Sequence, residues 1–225
     1  MMTATQAVFE DRKTEIEFYY SVMLDINDET RNTLNTADNQ RFFRIMKSNF
    51  LLMLYNLVEA TFTTGMLEIY DQVKHDNCSY ASLIEELQII WRDYKVREVY
   101  KAESGLNVYT NRVRKIVEDI TQGTPLIMTK GMLNINGNLN AKQIKDICDR
   151  HRIRYRVTDD QRILEKVKVK RNSLAHGDES FSLCARDLTV SDLETIKDTV
   201  ILFISEILEG MDKYFSEKQY LRPTT

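Results

Sequence analysis

Apolar residues recur at three- and four-residue spacing along most of this chain, which is the pattern of amphipathic helices. The pattern predicts a first helix over about residues 5–27 and a second, the most apolar, over about 40–70. It predicts further helices over about 79–103, 107–121 and 192–215. The predicted fold class is therefore all-α, a bundle of long antiparallel helices with the second helix at its centre.

Residues that favour helix ends divide this pattern into elements. Ser79 and Asn140 are predicted N-caps, the latter of a short helix, and Ser191 with Glu194 matches a capping box. Gly65 is predicted to end or kink the second helix. The inward face of that helix is assigned to Phe42, Ile45, Met46, Phe50, Leu54, Leu57, Val58 and Phe62.

The stretch over residues 105–156 separates the early helices from the last two. Gly123 is predicted to cap a helix there, and the apolar residues 126–128 and 132–135 predict a short β-hairpin. The stretch holds too little apolar material for a core of its own. We therefore interpret it as an insertion within a single domain that spans residues 1–225.

A helix that ends near residue 176 carries the most informative side chains of the chain. Residues 158–160, Thr-Asp-Asp, supply a cap and an acidic first turn, and Gly177 suits the left-handed residue that stops a helix. Its last turns hold Arg171, Asn172 and His176. Its inward face is predicted to consist of Ile163, Leu164, Val167 and Leu174.

These three polar side chains can together cleave a phosphodiester without a metal or another cofactor. Arg171 is a permanent cation with paired donors for phosphoryl oxygens, and His176 can transfer protons because the ordinary pKa of histidine is about 6.5. In RNA the 2′-hydroxyl is already the nucleophile, so proton transfer and charge stabilisation are sufficient. Asn172 can orient the phosphate or fix the histidine tautomer.

The spacing of the pair imposes a geometric condition. Five residues turn a helix by about 500°, so the side chains of Arg171 and His176 would lie about 140° apart. They converge if the helix ends near Ala175, or if a second copy of the chain supplies the missing partner.

The arrangement Arg-polar-x-x-x-His at the end of a helix in an all-α chain resembles the signature of the HEPN superfamily of RNases. Residues 49–59, NFLLMLYNLVE, and 137–144, GNLNAKQI, are also similar to small stand-alone HEPN-like nucleases. The resemblance implies a HEPN-like bundle and a metal-independent endoribonuclease that leaves a 2′,3′-cyclic phosphate. It also implies a homodimer in which paired motifs form one cleft.

The same resemblance implies a toxin or anti-phage effector with an antitoxin or a defence-system partner protein. One branch of the superfamily carries a tyrosine two places after the histidine, which a nucleotidyltransferase antitoxin modifies. That position here is Asp178, so an antitoxin would have to act in another way.

Charge is unevenly distributed along the chain. Residues 142–171 hold eleven Lys or Arg against five Asp or Glu, a local charge of +6 in a chain of net charge −3. This zone predicts an RNA-binding surface, in which Tyr155 stacks on one base; the alternative is a solvated helix face. The RNA-binding candidates are Lys168, Lys170, Arg152, Arg154, Tyr155 and Arg156.

Two polar residues of the second helix are candidates for active-site support. Glu59 and Asn56 lie within an otherwise apolar segment, and the resemblance implies that such residues turn toward the cleft. The alternative is that they form an exposed strip of the helix.

The cysteines and the N-terminal segment predict a cytoplasmic protein. Three widely spaced cysteines without a CxxC pair fit reduced thiols. Residues 1–12 contain no apolar signal core, and no uninterrupted apolar run approaches the roughly 20 residues of a membrane span. The pairs His75/Cys78 and Cys148/His151 have the ligand count of a zinc site, but no knuckle sequence surrounds them, and no metal is predicted.

Three hypotheses follow, in order of preference. The first is a dimeric endoribonuclease, and the second is a non-catalytic HEPN-like helical module that binds RNA or a partner subunit. The third is a purely structural helical bundle.

Overall fold

The computed structural model describes residues 1–28, 30, 33–100, 106–135, 139–156 and 161–223. Within these residues the chain forms eight α-helices, and β-pairing is limited to two isolated bridges. In chain order the helices are α1 (Thr3–Asn27), α2 (Ala37–His75), α3 (Glu85–Tyr100), α4 (Leu106–Thr121), α5 (Ala141–His151), α6 (Gln161–His176), α7 (Phe181–Cys184) and α8 (Val190–Ser216). The predicted all-α fold class is confirmed.

The long helix α2 is the centre of the bundle and packs against α1, α6, α7 and α8. Its apolar side chains are buried along almost its whole length. Phe42 is an exception to the predicted inward face, since it is 56% exposed near the start of the helix. Among the described helices α2 is long and apolar enough to cross a membrane, but more than half of that stretch is buried inside the protein. It is the core helix of a helical domain.

Gly65 does not end α2, so the prediction of a helix end there is wrong. The helix continues for ten residues beyond it. A Cβ at this position would lie 2.5 Å from Met211 Cε and 3.3 Å from Thr5 Cγ2. The glycine thus serves the close packing of α2 against α8 and the start of α1.

The two C-terminal helices bury the faces that their sequences predict. In α6, Leu164, Val167 and Leu174 are buried and Ile163 is half-buried. The predicted start of α8 is wrong, because the capping box is formed by Thr189 and Asp192. Ser191 already lies in the first turn of α8. The connection between α6 and α8 contains the short helix α7.

The predicted β-hairpin is absent from the described residues 124–135. Leu126 N–H donates to Cys78 O at 2.8 Å, so this part of the segment pairs with the loop after α2 and not with residues 132–135. A 3₁₀ turn over Lys130–Met132 follows. The buried side chains of Leu126, Met128, Met132 and Leu133 explain the apolar pattern, because they cover the core without forming strands.

The predicted helix caps have different outcomes. Asn140 caps α5 by accepting a hydrogen bond from Gln143 N–H at 2.8 Å, and Gly123 takes a positive φ of 66° after α4. Ser79 precedes a 3₁₀ turn, Tyr80–Ser82, without a side-chain cap, and α3 begins only at Glu85. The end of the predicted helix over 79–103, the predicted cap at 158–160 and part of the stretch 137–144 fall in the ranges 101–105, 157–160 and 136–138, which lie outside the described residues.

Candidate active site

Helix α6 carries the Arg171–His176 pair to its C-terminal end. The helix runs through His176, and Gly177 follows with φ 76°. Asp178 N–H donates to Ser173 O at 2.9 Å and so closes the last turn. The predicted role of Gly177 is confirmed, and the helix ends at His176, one residue beyond Ala175. The two side chains therefore leave one continuous helix about 140° apart.

Arg171 is held in place by an aromatic ring on α2. Its Cζ atom lies 4.7 Å from the centroid of the Tyr55 ring, a cation–π arrangement. Its Nη1 donates to Oδ1 of Asn172 at 3.0 Å. Within the described residues this is the one hydrogen bond of the half-buried guanidinium, so most of its five donors are available to a phosphate.

Tyr55 connects Arg171 to Glu59. Its hydroxyl accepts a hydrogen bond from Leu139 N–H at 3.1 Å and donates one to the Glu59 carboxylate one turn further along α2. Burial and then the Glu59 charge raise the pKa of Tyr55, while the Leu139 hydrogen bond and the Arg171 charge lower it. The tyrosine is thus a neutral donor between a carboxylate and a guanidinium.

The structure separates the predicted site residues into two groups. Arg171, Asn172 and Glu59 come together around Tyr55. His176 is exposed and makes no hydrogen bond or ion pair with the described part of the chain. Asn56 is likewise exposed. One chain therefore holds a positioned arginine and an unpositioned histidine.

Three of the predicted RNA-binding cations are already engaged in ion pairs. Lys168 pairs with Glu165 at 3.2 Å, and Lys170 pairs with Glu179 at 3.3 Å. Arg152 lies 3.7 Å from Glu86. Such pairs near the surface are weak and can exchange for a phosphate.

Arg154, Tyr155 and Arg156 border a cavity of about 750 Å³, which we call the α8 cavity. The two arginines are exposed and form no ion pair with the described residues, whereas Tyr155 is half-buried against the core. Burial raises the pKa of Tyr155 to about 12. The cavity is lined by Ile84, Arg152, Arg154, Tyr155, Arg156, Glu206, Glu209, Gly210, Lys213, Gln219, Leu221 and Pro223.

His151, next to these arginines in sequence, is a core residue. It is fully buried, with Nδ1 2.7 Å from Ile147 O and Nε2 2.7 Å from the Tyr70 hydroxyl. Burial lowers the pKa of His151 to about 4, so the ring is neutral, donates from Nδ1 and accepts at Nε2. Both ring nitrogens are occupied. Among the described residues no group of three or more His, Cys, Asp or Glu is placed to hold a metal.

Two features of these sites were missed by sequence reasoning. Tyr55 lies four residues before Glu59, a spacing that places both on one face of a helix and that could have been noticed. The cavity residues of α8 could not have been found in this way, because they lie more than fifty residues after Arg154.

Comparisons with known proteins gave one match. The model of the HEPN_MAE_28990-like HEPN family matches residues 3–220, nearly the whole chain. No curated protein and no solved structure matches it.

Proposed function

The chain belongs to the HEPN_MAE_28990-like HEPN family, and on that basis we propose that it is a metal-independent endoribonuclease. The observation that carries the proposal is the guanidinium of Arg171, which lies against Tyr55 with most of its donors unused, one and a half helical turns before an exposed His176. This pair supplies charge stabilisation and proton transfer for RNA cleavage.

The reaction needs no group beyond the side chains and the RNA. The 2′-hydroxyl oxygen attacks the adjacent phosphorus, and a neutral His176 accepts its proton. Arg171 stabilises the charge on the phosphoryl oxygens, with Asn172 bracing the guanidinium. The bond between phosphorus and the 5′-oxygen breaks, and a protonated His176 donates to that oxygen. The products are a 2′,3′-cyclic phosphate and a 5′-hydroxyl.

Two copies of the chain are required by this proposal. Because α6 is helical through His176, the pair in one chain diverges by about 140°. A homodimer with its α6 ends facing each other supplies two arginines and two histidines to one cleft. One His176 then serves as the base and the other as the acid.

The remaining assignments follow from this role. Glu59 supports the site through Tyr55, and Asn56 lies on the exposed surface of the same helix where it can contact substrate. Lys168, Lys170 and the arginines of residues 152–156 attract the RNA backbone. The physiological setting that we propose is a cytoplasmic toxin or anti-phage effector, restrained by a partner protein.

The test is cleavage of total RNA by purified protein in the presence of EDTA. Wild type is compared with Arg171→Ala, His176→Ala and, as a matched control, His75→Ala, which removes a histidine that is 81% exposed at the end of α2. We expect wild type and the control to cut with 2′,3′-cyclic phosphate ends, and each motif variant to lose at least roughly a hundredfold in rate. RNA binding by wild type without cutting would overturn the enzyme and favour a non-catalytic RNA-binding module.

A further inference from the structure

Arg171, Asn172 and Glu59, together with Tyr55, form what we call the Arg171 cluster. The α8 cavity lies apart from this cluster and is lined by other residues. Gly65 on α2 packs on Met211, the residue after Gly210 of the cavity. Tyr55 is ten residues earlier on α2 than Gly65, so at 1.5 Å per residue these two positions are about 15 Å apart along the helix.

The segment that carries the cavity arginines is fixed by the fold. Arg152 takes a left-handed conformation with φ 60° at the end of α5, and Ile153 N–H donates to Cys148 O at 2.9 Å. Alternate residues of an extended segment point to opposite sides. Ile153 and Tyr155 accordingly pack toward the core, while Arg154 and Arg156 are exposed beside the cavity.

Gly210 is what allows this segment to lie directly on α8. A Cβ there would be 2.5 Å from Arg154 O and 2.8 Å from Tyr155 Cβ. A glycine inside a helix costs roughly 1 kcal/mol relative to alanine. Here it lets the backbone of residues 154–155 contact the helix, and so places the two arginines at the cavity that Glu206 and Glu209 of α8 also line.

The lining combines four cations with two carboxylates. Arg152, Arg154, Arg156 and Lys213 can bind phosphate oxygens, while Glu206 and Glu209 can accept hydrogen bonds from ribose hydroxyls or base amino groups. A bare polyanion would be repelled by the two acids, whereas a nucleotide presents both an anion and hydrogen-bond donors. The volume of about 750 Å³ falls within the range of small-ligand pockets and accommodates one such unit.

We propose that the α8 cavity binds one nucleotide unit of the RNA strand at a distance from the bond that is cut. The inference rests on the proposed ribonuclease function and deepens it, because it makes the enzyme sensitive to substrate length. At about 3.4 Å per stacked nucleotide, a separation of about 15 Å corresponds to roughly four nucleotides. A dinucleotide reaches the Arg171 site alone, and a single-stranded dodecamer reaches both.

The experiment compares two double variants with equal loss of charge. Arg154→Gln/Arg156→Gln alters the cavity, and Arg41→Gln/Arg114→Gln removes two exposed arginines of α2 and α4 that do not line it. For the cavity variant we expect KM for the dodecamer to rise roughly tenfold, a much larger factor than the rise in KM for the dinucleotide. The control should match wild type on both substrates.

A binding measurement distinguishes failure of this inference from failure of the proposed function. In an Arg171→Ala background that cannot cut, the cavity variant should bind the uncut dodecamer roughly tenfold more weakly. The slope of log Kd against log salt should fall by about 0.7 per lost phosphate contact. Equal Kd for the cavity and control variants would overturn the inference, whether or not wild type cuts RNA. Tight binding of a free mononucleotide with unchanged RNA affinity would overturn the RNA assignment.

Discussion

At the scale of the single residue, the position of Arg171 depends on the ring beneath it. A guanidinium stacks on an aromatic face while its edge donates hydrogen bonds, which an ammonium cannot reproduce. Tyr55 supplies the face, and its hydroxyl is fixed by Leu139 N–H and the Glu59 carboxylate. The motif arginine is therefore positioned by a residue that the motif does not contain.

Substitution of Tyr55 separates the role of the ring from that of the hydroxyl. Tyr55→Leu removes the cation–π contact, worth about 1–2 kcal/mol for a half-buried pair, and should lower kcat roughly tenfold with a smaller change in KM. Tyr55→Phe keeps the ring, loses the two hydroxyl hydrogen bonds and should lower kcat less. Steady-state kinetics on the dodecamer, with melting temperatures for both variants, tests this order. A larger loss in Tyr55→Phe than in Tyr55→Leu would contradict a positioning role for the ring.

A second residue-scale prediction concerns His151 and pH. The pKa of this buried ring is about 4 in the folded protein and about 6.5 in the unfolded chain. Between these pH values the unfolded chain binds a proton that the folded protein does not. The stability that the neutral His151 ring contributes is therefore fully present above pH 6.5 and is lost as the pH falls toward 4. Linkage gives a loss of about 2 kcal/mol between pH 7 and pH 5 from this group.

Urea denaturation at pH 7 and pH 5 measures that loss. His151→Gln should be less stable than wild type at pH 7 because the Tyr70 and Ile147 hydrogen bonds are disturbed, yet its stability should change less between the two pH values. The exposed His75→Gln should keep the wild-type dependence. An unchanged pH dependence in His151→Gln would show that His151 is not the titrating group.

At the scale of the element, the end of α6 is set by one glycine. Gly177 has φ 76° with no atom near a hypothetical Cβ, so a substitution there acts through the backbone alone. Gly177→Ala should cost about 1 kcal/mol, or roughly 2–4 °C in melting temperature for a chain of this size. Gly177→Asn should cost less, because asparagine tolerates the left-handed region. Thermal denaturation measures both costs. A Gly177→Ala protein as stable as wild type would contradict the expected backbone strain of alanine at this positive φ.

Elements set by local chemistry were predictable, and those set by distant contacts were not. Asn140 and Gly177 satisfy backbone groups within their own helices, so their roles follow from the sequence. Gly65 has the sequence context of a helix breaker because its neighbours on α8 and α1 are remote in sequence. The apolar residues after Gly123 indicate a hairpin, although their partner is the loop at Cys78. The same limit applies to the site, where the motif of α6 is visible in the sequence but the supporting ring of α2 was missed.

At the scale of the whole molecule, α2 joins the parts of the proposed enzyme. Its middle carries Tyr55 and Glu59 beside α6, and its later part holds Gly65 against α8 and Tyr70 against His151. The helix α2 thus contributes Tyr55 and Glu59 to the Arg171 cluster and packs, through Gly65, against the part of α8 that lines the cavity. Within the described residues of a single chain, His176 is exposed and forms no hydrogen bond with Arg171.

The two-copy cleft predicts complementation between defective subunits. Arg171→Ala protein retains His176, and His176→Ala protein retains Arg171, so a mixed dimer brings one intact arginine from one copy to one intact histidine from the other. Each variant alone should be inactive, and the two mixed after brief denaturation and refolding should recover a measurable fraction of wild-type cleavage. A mixture as inactive as its parents, with mixed dimers verified by mass spectrometry, would contradict a cleft shared between copies. Recovery that rises with the product of the two subunit concentrations would tie catalysis to α6 ends from two chains, because each recovered site then holds one motif residue from each variant.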